Sequence, residues 1–122
     1  MPFIADLHIH SYLSRATSSQ MNLENLYKWA QLKGITILGT SDFTHPKWFA
    51  ELREKLEPAE PGLFQLKKKY AQSVEKEIPK SCRAPVRFLL SVEISTIYKK
   101  ADRTRKVHIL FLSPDFLAAG RL

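Results

Sequence analysis

The chain has 122 residues, with 19 Lys and Arg against 12 Asp and Glu, four His and one Cys, for a net charge of +7. A hydrophobic fraction of 44% in a chain of this length suits one domain that hides about two-thirds of its unfolded surface, and argues against wholesale disorder. The lone Cys82 rules out a disulfide-stapled scaffold, the apolar runs are too short to cross a membrane, and the charged, histidine-bearing start lacks the apolar run of a signal peptide, so the chain reads as cytoplasmic with no membrane partner.

Charge is unevenly placed. Residues 1–60 carry 6 basic and 7 acidic side chains, whereas residues 61–122 carry 13 and 5. A basic second half suits DNA or another anionic partner, because each neutralised phosphate releases a counterion. The alternative is that residues 67–69 and 99–106 are solvated faces or turns.

Residues 3–10, Phe3-Ile4-Ala5-Asp6-Leu7-His8-Ile9-His10, alternate as a strand does, with Asp6, His8 and His10 on one side. Residues 11–20 are polar and read as a loop. Leu23, Leu26, Tyr27 and Ala30 then predict a helix over 23–33, with Asn22 as N-cap and Gly34 as its stop. A short apolar strand over 35–38 completes a β-α-β unit, which implies a parallel pair of strands. The polar loop 39–45 leads to Pro46, which suits the first turn of a second helix carrying Trp48, Leu52 and Leu56 and stopping at Pro58. Residues 63–78 read as a basic amphipathic helix, and 79–85 as a connector. Two strands follow, within 86–97 and over 107–113, separated by the basic loop 99–106 and suggestive of a hairpin.

His8 and His10 stand two apart on a strand and so project from one face. Neutral imidazoles there suit zinc, iron or manganese; the alternative is a pair of histidines with no metal. Asp42, past the second strand, reads either as a ligand or ligand-orienting carboxylate or as the residue of an Asx turn. His45, before Pro46, reads as a capping or surface residue, and Cys82 as incidental. Glu93 and His108 each interrupt an apolar strand, where a carboxylate needs a partner, a metal or solvent. A hairpin centred between Lys100 and Ala101 would put Glu93 directly opposite His108, as a site or as an ordinary charge pair on an exposed face. Such a set of nitrogen and oxygen donors suits metal-assisted hydrolysis, and no phosphate-loop, dinucleotide or serine-hydrolase motif competes with it.

Asp6-Leu7-His8-Ile9-His10-Ser11 resembles the opening motif of the PHP (polymerase and histidinol phosphatase) family, and Ser91-Val92-Glu93-Ile94-Ser95 and Val107-His108-Ile109-Leu110 its middle motifs. More narrowly, Gly39-Thr40-Ser41-Asp42-Phe43-Thr44-His45-Pro46-Lys47-Trp48 and residues 91–98 are similar to the endonuclease Q-like branch. The resemblance implies an α/β fold, a distorted (β/α)7 barrel with a cluster of divalent metal ions, zinc or manganese, at the carboxyl ends of its strands. It implies that His8, His10, Glu93 and His108 are catalytic metal ligands, with Asp42 as a further ligand, and that DNA is cleaved 5′ to deaminated bases. Arg15 after Ser14 replaces the family's Asp, and the second motif's Asp-His reads Thr40-Ser41 or Ser41-Asp42, which removes support for a third metal. No histidine follows His108, so the late Asp-x-His block is missing. Residues 1–122 are thus expected to be a single incomplete domain, the N-terminal portion of the barrel. Its open sheet edges would be covered by the remaining residues or another chain. The other readings are a catalytically incomplete DNA-binding remnant and a phosphatase of small phosphorylated metabolites.

Overall fold

Asn22 and Gly34 bracket the first helix, α1 (Leu23–Lys33), as their residue types predict. The Asn22 side chain accepts the Asn25 N–H at 2.8 Å, and Gly34 takes the left-handed conformation, φ +73°, that lets its N–H reach back to Gln31 O at 3.2 Å. This computed structural model describes residues 3–9 and 22–121.

α1 connects two parallel strands. β1 (Ala5–Asp6) pairs with β2 (Ile37–Gly39), Asp6 level with Leu38. β2 pairs in parallel with β5 (Arg87–Lys100), Leu38 level with Phe88. The predicted β-α-β unit is therefore present, although the β1 ladder ends at Asp6, well short of the strand read over 3–10, and His10 lies outside the described residues. Between β2 and β5 the chain forms α2 (Pro46–Lys55), with Pro46 in its first turn and Trp48 and Leu52 buried. His45 occupies the N-cap position but makes no side-chain capping bond.

The basic helix read over 63–78 is not formed as such. Its start is a strand: β3 (Leu56–Pro58) and β4 (Phe64–Leu66) make an antiparallel hairpin, and β4 pairs with β5 through Phe64 and Phe88. Phe64 and Leu66 are buried on alternate positions, so tertiary burial outweighs helix propensity there. Only α3 (Lys68–Glu75) remains helical, joined to α1 by Tyr27 Oη donating to Glu75 at 3.4 Å and by the Lys28–Glu77 ion pair at 3.3 Å.

The final strands form a long hairpin of β5 with β6 (Arg103–Ser113). The basic stretch 99–106 is mostly strand rather than loop; the turn is only Ala101 and Asp102, with φ of +53° and +61°. Positive φ at both turn residues is what a two-residue hairpin loop requires to match the strand twist. A short helix, α4 (Phe116–Ala119), not foreseen from the sequence, follows Asp115, whose carboxylate accepts the Ala118 N–H at 2.7 Å. Phe116 anchors it edge-on to Phe49 and Phe64, at ring separations of 5.7 and 4.9 Å.

The result is a mixed α/β unit with an open sheet in the order β1-β2-β5-β4-β3, β6 joining β5. Leu23, Leu38, Trp48, Leu52, Phe88 and Leu90 lie in its core. Among the described residues, no helix is long and apolar enough to cross a membrane.

Candidate functional site

Both β1 and β2 run toward the same end of the sheet as the adjoining part of β5, so residues 7–9 and the loop after β2 lie beyond their carboxyl ends. Ligand sites of parallel sheets form there. The β2 exit is held by a buried polar cluster. Thr40 N–H donates to Leu89 O at 2.8 Å, Ser41 N–H to Ser91 Oγ at 2.9 Å, and the Trp48 indole N–H to the carbonyls of Thr40 and Ser41 at 3.1 and 2.8 Å. Ser91 N–H in turn donates to Thr40 Oγ1 at 3.3 Å. These bonds hold Ser41 and Asp42 in left-handed backbone conformations, φ +61° and +48°.

Gly39, the last residue of β2, lies between Leu7 and Ser91. A Cβ on it would lie 2.5 Å from Leu7 O and 2.7 Å from Ser91 Oγ, so no larger residue fits without moving the β1 exit. Leu7 precedes His8 directly, which ties the Gly39 contact to the placement of that histidine. The His8 N–H also donates to the Asp6 carboxylate at 3.3 Å. Asp6 itself lies beside α1, lining a cavity of about 280 Å³ with Ile9, Leu26 and Trp29.

Glu93 is the meeting point. One carboxylate oxygen contacts His8 Nε2 and the other His108 Nδ1, so a single carboxylate joins histidines 100 positions apart in the chain. Hydrogen bonds to His108 and then to His8 hold the Glu93 carboxyl below its ordinary value of 4.5. Ser95 Oγ lies 3.2 Å from the same His108 Nδ1. The Glu93 side chain is 17% exposed, whereas His8 and His108 are 58% and 51% exposed, so the carboxylate is sheltered while both rings face solvent.

The expected direct opposition of Glu93 and His108 is corrected by the ladder. Glu93 is level with Leu110 and His108 with Ser95, because the turn is centred one residue later than predicted, on Ala101 and Asp102. Moving the centre by one residue shifts each pairing by two, which preserves the face. The pair is therefore diagonal and within reach. Asp42 occupies the turn after β2, its carbonyl accepting the His45 N–H at 2.9 Å. Sequence reasoning missed Thr40, Ser91 and Trp48 as the groups that shape this end of the sheet. Ser91 in an apolar run was a signal, since a buried hydroxyl needs a partner.

The donor set, two imidazoles and a carboxylate, is chemically suited to zinc or manganese. In the present arrangement these groups contact one another directly, and among the described residues no group of three or more His, Cys, Asp or Glu side chains is placed to hold a metal ion.

No family model matches the chain. It is 51% identical over 49 residues, 40% of its length, to the uncharacterized protein MJ0043 of Methanocaldococcus jannaschii, of which it covers 6%. Its structure is similar to that of the lesion-specific endonuclease PfuEndoQ from Pyrococcus furiosus, with a TM-score of 0.67 and 28% identity over 96% of this chain and 23% of that one. It is also similar to endonuclease Q in complex with a 27-mer duplex bearing an abasic lesion at the active site, with a TM-score of 0.55 and 31% identity over 73% of this chain and 18% of that one. The chain thus spans less than a quarter of either endonuclease, and the likeness to endonuclease Q extends over nearly all of its own length.

Proposed function

We propose that this chain is the N-terminal portion of a PHP-type barrel and forms part of a metal-dependent DNA endonuclease that hydrolyses phosphodiester bonds at damaged, including deaminated, bases. The observation that carries this reading is the meeting of His8 and His108 on the two oxygens of Glu93 beyond the carboxyl ends of parallel strands. The likeness to two lesion-directed endonuclease structures supports the substrate class.

His8, Glu93 and His108, once released from their present contacts with one another, are the residues that would hold a zinc or manganese ion, with Asp42 and, outside the described residues, His10 as further ligands. When bound, such an ion acidifies water to a nucleophile near neutral pH and offsets charge on phosphoryl oxygens. One oxygen of Glu93 contacts each imidazole, which keeps both rings beside the carboxylate. The exposure of both rings leaves room for a phosphodiester to approach from solvent. The Gly39 contact and the Ser91–Ser41 bond keep the β1 and β2 exits in register, which holds His8 against Glu93.

The test is incubation of the chain with Mn²⁺ or Zn²⁺ and a duplex carrying one deaminated base or abasic site. The expected result is a nick at the lesion that is lost in a folded His8→Ala variant; nicking unchanged by His8→Ala contradicts the assignment. The basic second half, beside a site where no three donor side chains among the described residues are placed for a metal, favours a second reading, a DNA-binding remnant without chemistry. Salt-dependent, chelator-insensitive duplex binding with no nicking is its signature. Hydrolysis of a small phosphomonoester in place of DNA would instead identify a metabolite phosphatase.

A further inference from the structure

The hairpin that carries Glu93 and His108 continues well past them. Outward from the Ser95–His108 pair the ladder matches Thr96 with Val107, Ile97 with Lys106, Tyr98 with Arg105, Lys99 with Thr104 and Lys100 with Arg103. Residues 95–112 are all exposed. A two-stranded ribbon bare on both faces is marginal on its own, so this surface is suited to a partner.

Charge complementarity indicates what that partner is. Residues 98–106 hold five cations, Lys99, Lys100, Arg103, Arg105 and Lys106, against the single carboxylate of Asp102. None of the five is in an ion pair with a described residue. Strand alternation divides them between the two faces. Glu93, Ser95, Ile97 and Lys99 share a face with Leu110, His108, Lys106 and Thr104, so Lys99 and Lys106 stand on the face of Glu93 and His108. Lys100, Arg103 and Arg105 stand on the opposite face.

We propose that Lys99 and Lys106 form a phosphate track on the site's own face, seating the backbone of duplex DNA as it leaves the Glu93–His108 site. This inference rests on the reading of that site as one that cleaves a phosphodiester. Lys106 lies two residues from His108 and Lys99 is level with a residue four away, about 7 and 14 Å along the ribbon. Successive phosphates of one strand stand about 7 Å apart through space, roughly twice their 3.4 Å rise along the duplex axis, so these positions match the backbone about one and two phosphates from the one at the site. Such contacts carry no base information; they fix register, which an enzyme that must present one lesion to one site requires.

The test compares two double variants of the full chain that remove the same charge: Lys99→Gln with Lys106→Gln, and Arg103→Gln with Arg105→Gln. Binding of a short fluorescent duplex containing one abasic site is followed by anisotropy across a salt series, with circular dichroism to confirm the fold. The track predicts that the lysine pair lowers the salt slope by about two and weakens low-salt binding roughly tenfold, whereas the arginine pair changes the slope far less. Equal losses from the two pairs, a loss confined to the arginine pair, or no salt-dependent binding by the unaltered chain overturns it. His8→Ala separates the two proposals. A chain that binds through the lysines but never cleaves leaves the track standing and overturns the endonuclease reading. Cleavage by an unaltered chain whose salt slope ignores the lysines does the reverse.

Discussion

Glu93 and His108 stand two residues out of register across the β5–β6 ladder, yet share a face and meet side chain to side chain. Their contact has a measurable electrostatic consequence. Hydrogen bonds to His108, the larger cause, and to His8 hold the Glu93 carboxyl below 4.5. A depressed carboxylate contributes stability that is present above the unfolded value and is lost as the pH falls through the folded midpoint. Carbon-detected titration of Glu93 should therefore give a midpoint below 4.5, and His108→Ala should raise it toward that value by more than His8→Ala does. An unchanged midpoint in both variants contradicts the bridge.

The hairpin turn predicts a stabilising substitution. Ala101 holds φ +53°, a left-handed conformation that costs an ordinary L-residue roughly 1–2 kcal/mol, while Asn tolerates it better. Ala101→Asn is expected to raise the unfolding free energy by about 0.5–1 kcal/mol in urea denaturation. A loss of the same size shows that the turn is not of this type.

Gly39 and Gly62 make a contrasting pair. Gly39→Ala forces a Cβ against Leu7 O and Ser91 Oγ, an overpacking expected to cost about 1–3 kcal/mol and to shift the His8 ring resonances. Gly62, at φ +79° with no atom within 4 Å of an added Cβ, pays only the left-handed strain, about 1 kcal/mol, and leaves the His8 resonances in place. Equal disturbance of His8 by both substitutions contradicts the role given to Gly39.

Ser91 is the acceptor for the buried Ser41 N–H. Ser91→Ala leaves that donor without its partner, at an expected cost of about 1–3 kcal/mol measured by denaturation. Faster hydrogen exchange at the Ser41 amide is the local sign to look for; exchange that stays slow contradicts the assignment.

What could be read from the sequence follows from the range of the interactions involved. α1 was legible because Asn22 and Gly34 act on their own neighbours. The shared face of Glu93 and His108 was legible because a period of two survives a shift of the turn by one residue, although their exact opposition did not. The three-residue strands β3 and β4 were not, since so short a run has no period to detect and Phe64 is committed by Phe88 and Phe116, far along the chain. The approach of His8 to Glu93 depends on strand order, β1-β2-β5, which the residues do not state locally; the family resemblance implied only that the two belong to one ligand set. Asp42 reads from the sequence either as a ligand or as a turn residue, and it stands in the turn after β2; the hydrogen bonds that fix its surroundings come from Ser91 and Trp48, each remote or buried in an apolar pattern.

The most direct test of the account is calorimetric titration of Zn²⁺ and Mn²⁺ into the metal-free chain beside its Glu93→Ala and His108→Ala variants. The account predicts saturable binding of at least one of the two ions by the unaltered chain, lost in both variants while their circular dichroism is unchanged. No binding by the unaltered chain, or equal binding by all three proteins, contradicts it.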